Sequence, residues 1–61
     1  QTMVLSLWPV SDYVTKDFMI AFYRNLVNDN WNKRKAFDTA KAEIRSQHSE
    51  PFYWAGFVMV D

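Results

Sequence analysis

The feature that most constrains the fold is the apolar segment at the end of the chain, residues 51–60. It runs from Pro51 through three aromatic residues into a stretch with no charged side chain. This pattern predicts a strand that is entered from a fixed turn. Both alternating faces of the strand are apolar, so it requires cover on both sides. The two faces consist of Trp54, Val58 and Val60 on one side and Ala55, Phe57 and Met59 on the other.

A chain of 61 residues has little material with which to supply both covers. A domain of this length buries only about 60% of its unfolded surface. Hydrophobic residues nevertheless make up 49% of the chain and aromatic residues 18%, which is a large amount of core-forming material. No linker or internal repeat divides the chain. We therefore expect residues 1–61 to be part of one larger domain, and the start at Gln1 rather than methionine fits an internal fragment or a processed product.

Charge and composition exclude several classes of function. Seven basic and seven acidic residues cancel, so no net field attracts nucleic acid or an anionic membrane. There is no cysteine, and the single histidine, His48, has no partners at metal-ligand spacing, so we predict no metal and no cofactor. The chain has no signal-peptide pattern, and its apolar runs are too short to span a bilayer. We expect a cytoplasmic location.

Two strands are predicted at the ends of the chain. Residues Met3 to Trp8 form a short apolar run that Pro9 ends, because the residue before proline is pushed to extended geometry. The second strand is the segment described above, from Trp54 to Val60, which follows a turn at residues 48–51.

Two helices are predicted between the strands. Ser11 and Asp12 begin the first helix, since either side chain can accept a hydrogen bond from the free N–H groups of the first turn. Turn-forming residues at 28–30 end it. The second helix runs from about Asn32 to Gln47. Two apolar stripes are expected to form the core. The first helix contributes Val14, Phe18, Phe22 and Leu26, widened by Met19, Tyr23 and Val27, and the second contributes Ala36, Phe37, Ala40 and Ile44.

The element order strand, helix, helix, strand determines the strand directions. Each helix of about 16 residues spans about 24 Å and crosses the sheet once. Two crossings make the last strand antiparallel to the first, whereas a single crossover helix would make it parallel. We therefore expect an α/β fold in which the last strand lies at the edge of a mixed sheet.

Two segments of the chain together resemble the C-terminal part of CHAT domains, the caspase-like domains of the caspase, gingipain and separase clan. The first is Ser6-Leu7-Trp8-Pro9-Val10-Ser11-Asp12, followed by Thr15 and then by Phe22-Tyr23-x-x-Leu26; the second is Pro51-Phe52-Tyr53-Trp54-Ala55-Gly56-Phe57. The resemblance covers nearly the whole chain. It implies a β-α-α-β fragment of a caspase-like three-layer sandwich with a mixed, mostly parallel sheet.

The chain departs from the family pattern in two mild ways and one larger way. Asn30 stands where the turn between the helices usually has glycine, and Ala40-Lys41 replaces an Ala-Gln pair. The larger departure is the absence of catalytic residues. CHAT peptidases use a His and a Cys on earlier parts of the domain, and His48 matches no catalytic histidine of the family. The resemblance therefore implies a non-catalytic C-terminal portion of a cysteine peptidase that is inactive alone.

The candidate site is the loop from Pro9 to Asp12, at the carboxyl end of the first strand, where ligands gather in open α/β sheets. In the clan this loop contributes to the pocket for the residue before the scissile bond. Separases show a similar Trp-x-Val-x-Asp pattern, with an acid associated with an arginine-preferring pocket. The resemblance thus assigns Asp12, Ser11 and Trp8 to a pocket for a peptide substrate.

Each of these three residues also has a structural interpretation. Ser11 and Asp12 can cap the first helix, which contributes about 1 kcal/mol, and local pattern favours this role. Trp8 at a strand position is typical of packing. Both roles can coexist.

Two further functions stay open. The parent protein can be a catalytically dead CHAT-like scaffold for protein–protein interaction, or the chain can be a small module that self-associates through its sheet. The expected partner is therefore the remainder of the caspase-like domain or a second copy, through exposed strands. In each case uncovered apolar strands predict that the 61-residue chain alone is not a well-behaved monomer.

Overall fold

The computed structural model describes residues 2–60, and the start of the chain at Gln1 lies outside the described residues. These residues form a mixed α/β unit with a two-stranded antiparallel sheet, which confirms the predicted strand directions. The elements are β1 (Met3–Ser6), α1 (Asp12–Asn28), α2 (Lys33–Gln47), α3 (Pro51–Trp54) and β2 (Phe57–Val60). Within residues 2–60, no helix has the length and apolar character to cross a membrane.

The ends of α1 and α2 lie where the sequence predicts them. The Ser11 hydroxyl accepts a hydrogen bond from the Val14 N–H at 3.2 Å, and the Asn32 side chain accepts one from the Lys35 N–H at 3.1 Å. Asn30 adopts a φ of 58°, the left-handed conformation for which glycine is usual. Trp31 follows with a φ of 64°, which the sequence did not indicate.

The predicted strand boundaries are wrong at both strands. Residues Pro51–Trp54 form a single helical turn, and β2 begins only at Phe57. Proline suits the first turn of a helix because its missing N–H has no helical partner there, and this preference overrides the strand propensity of the aromatic residues. The turn lets the Trp54 indole donate to the Ser49 carbonyl at 3.1 Å. β1 likewise ends at Ser6, two residues before Trp8.

The core lies between the two long helices and one face of the sheet. Phe18 is fully buried at its centre. Its ring stacks on Phe57 of β2 with centroids 4.3 Å apart, and it meets Phe37 of α2 edge-on at 5.6 Å. The centres of both predicted helix stripes are buried; they are Val14, Phe18, Phe22 and Leu26 of α1 and Ala36, Phe37, Ala40 and Ile44 of α2. The predicted widening of the α1 stripe is wrong at Tyr23 and Val27, which are 57% and 62% exposed, whereas Met19 packs against the core.

The two faces of the sheet differ in their cover. Val4, Phe57 and Met59 face the helices and pack in or against the core. Because side chains alternate along a strand, the residues between them point the other way. We call this second surface the outer face; it consists of Met3, Leu5, Val58 and Val60 of the two strands and of Leu7, whose N–H extends the ladder to the Gly56 carbonyl. Met3, Leu7 and Val60 are 55%, 63% and 52% exposed, whereas Leu5 and Val58 between them are partly buried. Within residues 2–60 this face is therefore only partly covered.

Candidate functional site

The loop between β1 and α1 carries the residues that the sequence assigns to a substrate pocket. Ser11 and Asp12 lie side by side at the start of α1, and both are exposed. The Ser11 side chain caps the helix, so its structural role is confirmed. Asp12 lies in the first turn, where the helix dipole favours a negative charge. In the described part of the chain, Asp12 forms no ion pair, so its carboxylate is available to a ligand.

Trp8 faces α3 rather than open solvent. Its indole N–H donates to the Phe52 carbonyl at 2.8 Å, and its ring lies near the Phe52 ring with centroids 6.3 Å apart. Gly56 lies directly against the indole, because a Cβ at that position would come within 2.8 Å of the ring. The Leu7 N–H donates to the Gly56 carbonyl at 2.9 Å. Trp8 therefore fixes the loop to α3, as the packing interpretation predicted.

The structure thus supports the capping role of Ser11 and the packing role of Trp8. Asp12 is the only one of the three that has no structural partner of this kind among residues 2–60. A pocket role for the three residues stays a prediction.

A polar network between α1 and α2 was not found from the sequence. Glu43 accepts hydrogen bonds from Arg24 and, at 2.7 Å, from the Asn25 amide. The hydrogen bond from Arg24, then that from Asn25, lowers the pKa of Glu43 below 4.5, and burial opposes this shift only in part. Glu43 therefore stays ionised and links the helices, which suits a structural clamp and not a general acid. Sequence gives the charges of these residues but not the register between the helices that brings them together.

The single histidine is held by packing. His48 is half-buried and meets the Tyr13 ring edge-on, with centroids 6.2 Å apart, and the Tyr53 ring at 5.4 Å. Its Nε2 lies 3.9 Å from an Asp17 carboxylate oxygen. Within the described residues, no group of His, Asp and Glu side chains has the geometry to hold a metal ion.

The fold and the loop define a small mixed α/β unit with cover on one face of its sheet. The family model described as the CHAT domain matches residues 1–61, which is the full chain. The chain therefore belongs to the CHAT domain family, and the resemblance seen in its motifs is confirmed. Comparison with curated proteins and with solved structures finds no match.

Proposed function

We propose that this chain is the C-terminal, non-catalytic portion of a CHAT-type, caspase-like cysteine peptidase. It supplies two sheet strands, the helices that cover one face of the sheet, and part of the substrate pocket. The observation that carries the proposal is the outer face, a contiguous apolar surface on a sheet whose opposite face is covered. In a three-layer sandwich, helices cover both faces of the sheet, and residues 2–60 provide helices for one of them.

The uncovered surface is large enough to matter for stability. Burying a large aliphatic side chain contributes about 1.5–3 kcal/mol. Met3, Leu7 and Val60 are each a little more than half exposed, so covering these three alone would add roughly 2–5 kcal/mol. The total stability of a domain is only about 5–15 kcal/mol. A second cover would therefore add a sizeable fraction of the stability of a typical domain.

The chemistry of the reaction must come from outside this chain. A cysteine peptidase needs a thiolate and a base that activates it. The chain has no cysteine, and its one histidine is packed between two tyrosine rings. In the proposal, the remainder of the domain provides the Cys and His, and this chain is inactive alone.

Asp12 would contribute to substrate selection. An exposed carboxylate at this position can form a charge-assisted pair with an arginine or lysine side chain of the substrate. Ser11 would hold the start of α1, and Trp8 would hold the loop against α3. The loop would then present Asp12 from a fixed backbone.

The test uses the protein expressed from the intact gene and fluorogenic peptides with Arg, Lys or Leu before the scissile bond. We expect Asp12→Asn to lower kcat/KM for the Arg peptide about 10- to 100-fold, as for loss of a hydrogen bond between charged groups, and to leave the Leu peptide unchanged. Asp38→Asn, which removes an exposed carboxylate on α2, is the matched control. Equal effects of the two variants would contradict the pocket role, and an intact protein without an upstream His and Cys would contradict the peptidase.

A catalytically inactive scaffold is the second candidate. The same outer face that a sandwich would bury can also bind a partner protein, and this chain contains no catalytic group that argues against it. The two candidates differ in the residues that the gene encodes upstream. An intact His and Cys pair indicates the peptidase, and its loss indicates the scaffold.

A further inference from the structure

We infer that α1 of one copy of this protein packs antiparallel against α1 of a second copy. The contact surface would be a stripe of exposed side chains on the face of α1 that points away from the core. This surface belongs to the helical layer and involves neither strand of the sheet. The inference goes beyond the proposed function, because a peptidase and a scaffold could pair in the same way.

The exposure of successive residues along α1 defines the stripe. Five exposed positions are alternately three and four residues apart, which places them on one face of the helix. Ile20 follows the fully buried Phe18 by two residues, about 200° around the helix, so this face lies opposite the core. We call this set the second stripe; it consists of Tyr13, Lys16, Ile20, Tyr23 and Val27.

Four of the five side chains of the second stripe are large and hydrophobic. Tyr13, Ile20, Tyr23 and Val27 are each more than half exposed. A helix with hydrophobic residues on both faces is normally buried on both, and within residues 2–60 only the core face of α1 is covered. The Tyr23 ring already lies edge-on to Phe22, with centroids 5.4 Å apart, so a partner would find it ordered. The second stripe therefore has the character of a contact surface.

The spacing of the second stripe indicates that its partner is a helix. Alternate steps of three and four residues are those of the a and d positions in a heptad repeat, through which one helix packs along another. The side chains of an extended strand alternate every second residue and do not match this spacing. α1 has 17 residues, so it offers a seam of about 25 Å.

The charges beside the second stripe make it complementary to itself in the antiparallel orientation. Asp17 and Arg24 lie on its α2 side, where both line a groove of about 410 Å³ between the two helices. In an antiparallel pair centred between positions 20 and 21, Asp17 of each copy faces Arg24 of the other, because both are equally far from the centre. On the other side of the seam, Lys16 lies near Tyr23 of the second copy, an arrangement that permits a cation–π contact. A parallel pair would instead align like charges.

Asp17 and Arg24 both have hydrogen-bonding capacity for this contact. An Asp17 carboxylate oxygen lies 3.9 Å from the His48 Nε2, which is beyond hydrogen-bond distance. Arg24 contacts Glu43 through one terminal nitrogen, and a guanidinium group has five N–H donors. A second copy of α1 thus supplies what this surface requires, which is a hydrophobic heptad seam with a base opposite Asp17 and an acid opposite Arg24. A single helix pair is a small interface, so we expect a weak dimer with a Kd in the micromolar range.

Sedimentation equilibrium of the protein from the intact gene is the first test. We expect a monomer–dimer equilibrium, and Ile20→Glu should raise the Kd at least about 100-fold, because the two-fold symmetry places two unpaired carboxylates in the seam. Ala42→Glu is the matched control, since it adds the same charge at an exposed position of α2, and it should leave the Kd unchanged. A monomer at high micromolar concentration, or a dimer whose Kd is the same in the two variants, would overturn the inference.

Charge reversal tests the antiparallel register. Asp17→Arg places like charges opposite each other twice in a dimer of that variant, and Arg24→Glu does the same. Each variant alone should dimerise about 10-fold more weakly at low salt. A mixed dimer with one copy of each variant regains both pairs of opposite charges, so its Kd should lie within about threefold of that of the unsubstituted protein. Mixing leaves the fold of each variant as it was, so mixed dimers no tighter than those of the separate variants would refute the antiparallel pairing.

Other occupants of the second stripe give a different result. If the remainder of the protein covers it, the intact protein stays monomeric and Ile20→Glu lowers its Tm more than Ala42→Glu does, which would overturn pairing with a second copy. The outcomes are also distinct from those that test the proposed function. A dimer that depends on Ile20 in a protein without a Cys and His pair would support the inference and reject the peptidase.

Discussion

The substitution Gly56→Ala tests a tightly packed contact between the two ends of the chain. The backbone of Gly56 does not have a positive φ, so alanine is compatible with its conformation. The constraint is space, because an added Cβ would lie 2.8 Å from Cε2, 3.0 Å from Cζ2 and 3.1 Å from Cδ2 of Trp8. Carbon atoms in contact are ordinarily about 3.5–4.0 Å apart.

The structure allows an estimate of the cost. The indole would have to move by roughly 0.7–1 Å, which weakens its 2.8 Å hydrogen bond to the Phe52 carbonyl. Overpacking costs about 1–3 kcal/mol and the weakened hydrogen bond up to about 1 kcal/mol, offset by about 0.4–1 kcal/mol from the lower entropy of the unfolded chain. We expect a net loss of about 2 kcal/mol. For a domain of this size that corresponds to a fall in Tm of roughly 8–16 °C.

The assay is thermal unfolding followed by circular dichroism at a fixed low concentration, in a double-mutant cycle with Trp8→Ala. In the Trp8→Ala background the added methyl group has no ring to meet, so Gly56→Ala should be neutral or slightly stabilising. A cost that is the same in both backgrounds, or a rise in Tm with Trp8 present, would refute the packing argument.

Three further predictions concern the helices and their connections. Ser11→Ala should lower stability by about 1 kcal/mol through loss of the cap, and Ser11→Asp should restore it; equal Tm values for the two variants would contradict the capping role. The pKa of Glu43 is lowered in the folded state, so the ionised side chain stabilises the fold above its ordinary pKa of 4.5, and this stabilisation is lost as the pH falls through the folded-state pKa. Glu43→Gln should therefore flatten the acid side of a curve of stability against pH. An unchanged acid side would contradict the role of Glu43 in linking the helices. Trp31→Gly should raise stability by about 0.5–1 kcal/mol, because an exposed bulky residue at a φ of 64° is strained. A fall in Tm on heating would instead show that the Trp31 ring makes a stabilising contact.

Local signals in the sequence were enough to place both long helices and the strand directions. Ser11 and Asn32 are side chains that accept hydrogen bonds from a first turn, and Asn30 tolerates the left-handed conformation. The two crossings then fixed the antiparallel pair. These features depend on neighbours in the chain or on chain connectivity, which a single sequence contains.

The features that the sequence did not reveal depend on contacts between distant residues. The turn at Pro51–Trp54 places proline in its favoured first-turn position, but the contact of its Phe52 ring with Trp8 depends on a residue distant in the chain. The fit of Gly56 beneath Trp8 and the pairing of Arg24 with Glu43 likewise require the tertiary register. Of the candidate site, the sequence indicated the loop and the capping residue, and the substrate pocket stays a prediction.

Oxidation of the chain's three methionines by hydrogen peroxide tests the central claim most directly, since the claim is that the outer face is buried in the intact protein. Met3 lies on the outer face and is 55% exposed, whereas Met59 points towards the helices and serves as an internal control. Mass spectrometry of the isolated chain at low concentration should show fast oxidation of Met3 and slow oxidation of Met59. In the protein from the intact gene, both should be slow. Oxidation of Met3 at the same rate in the two proteins would show that nothing covers the outer face and would contradict the account.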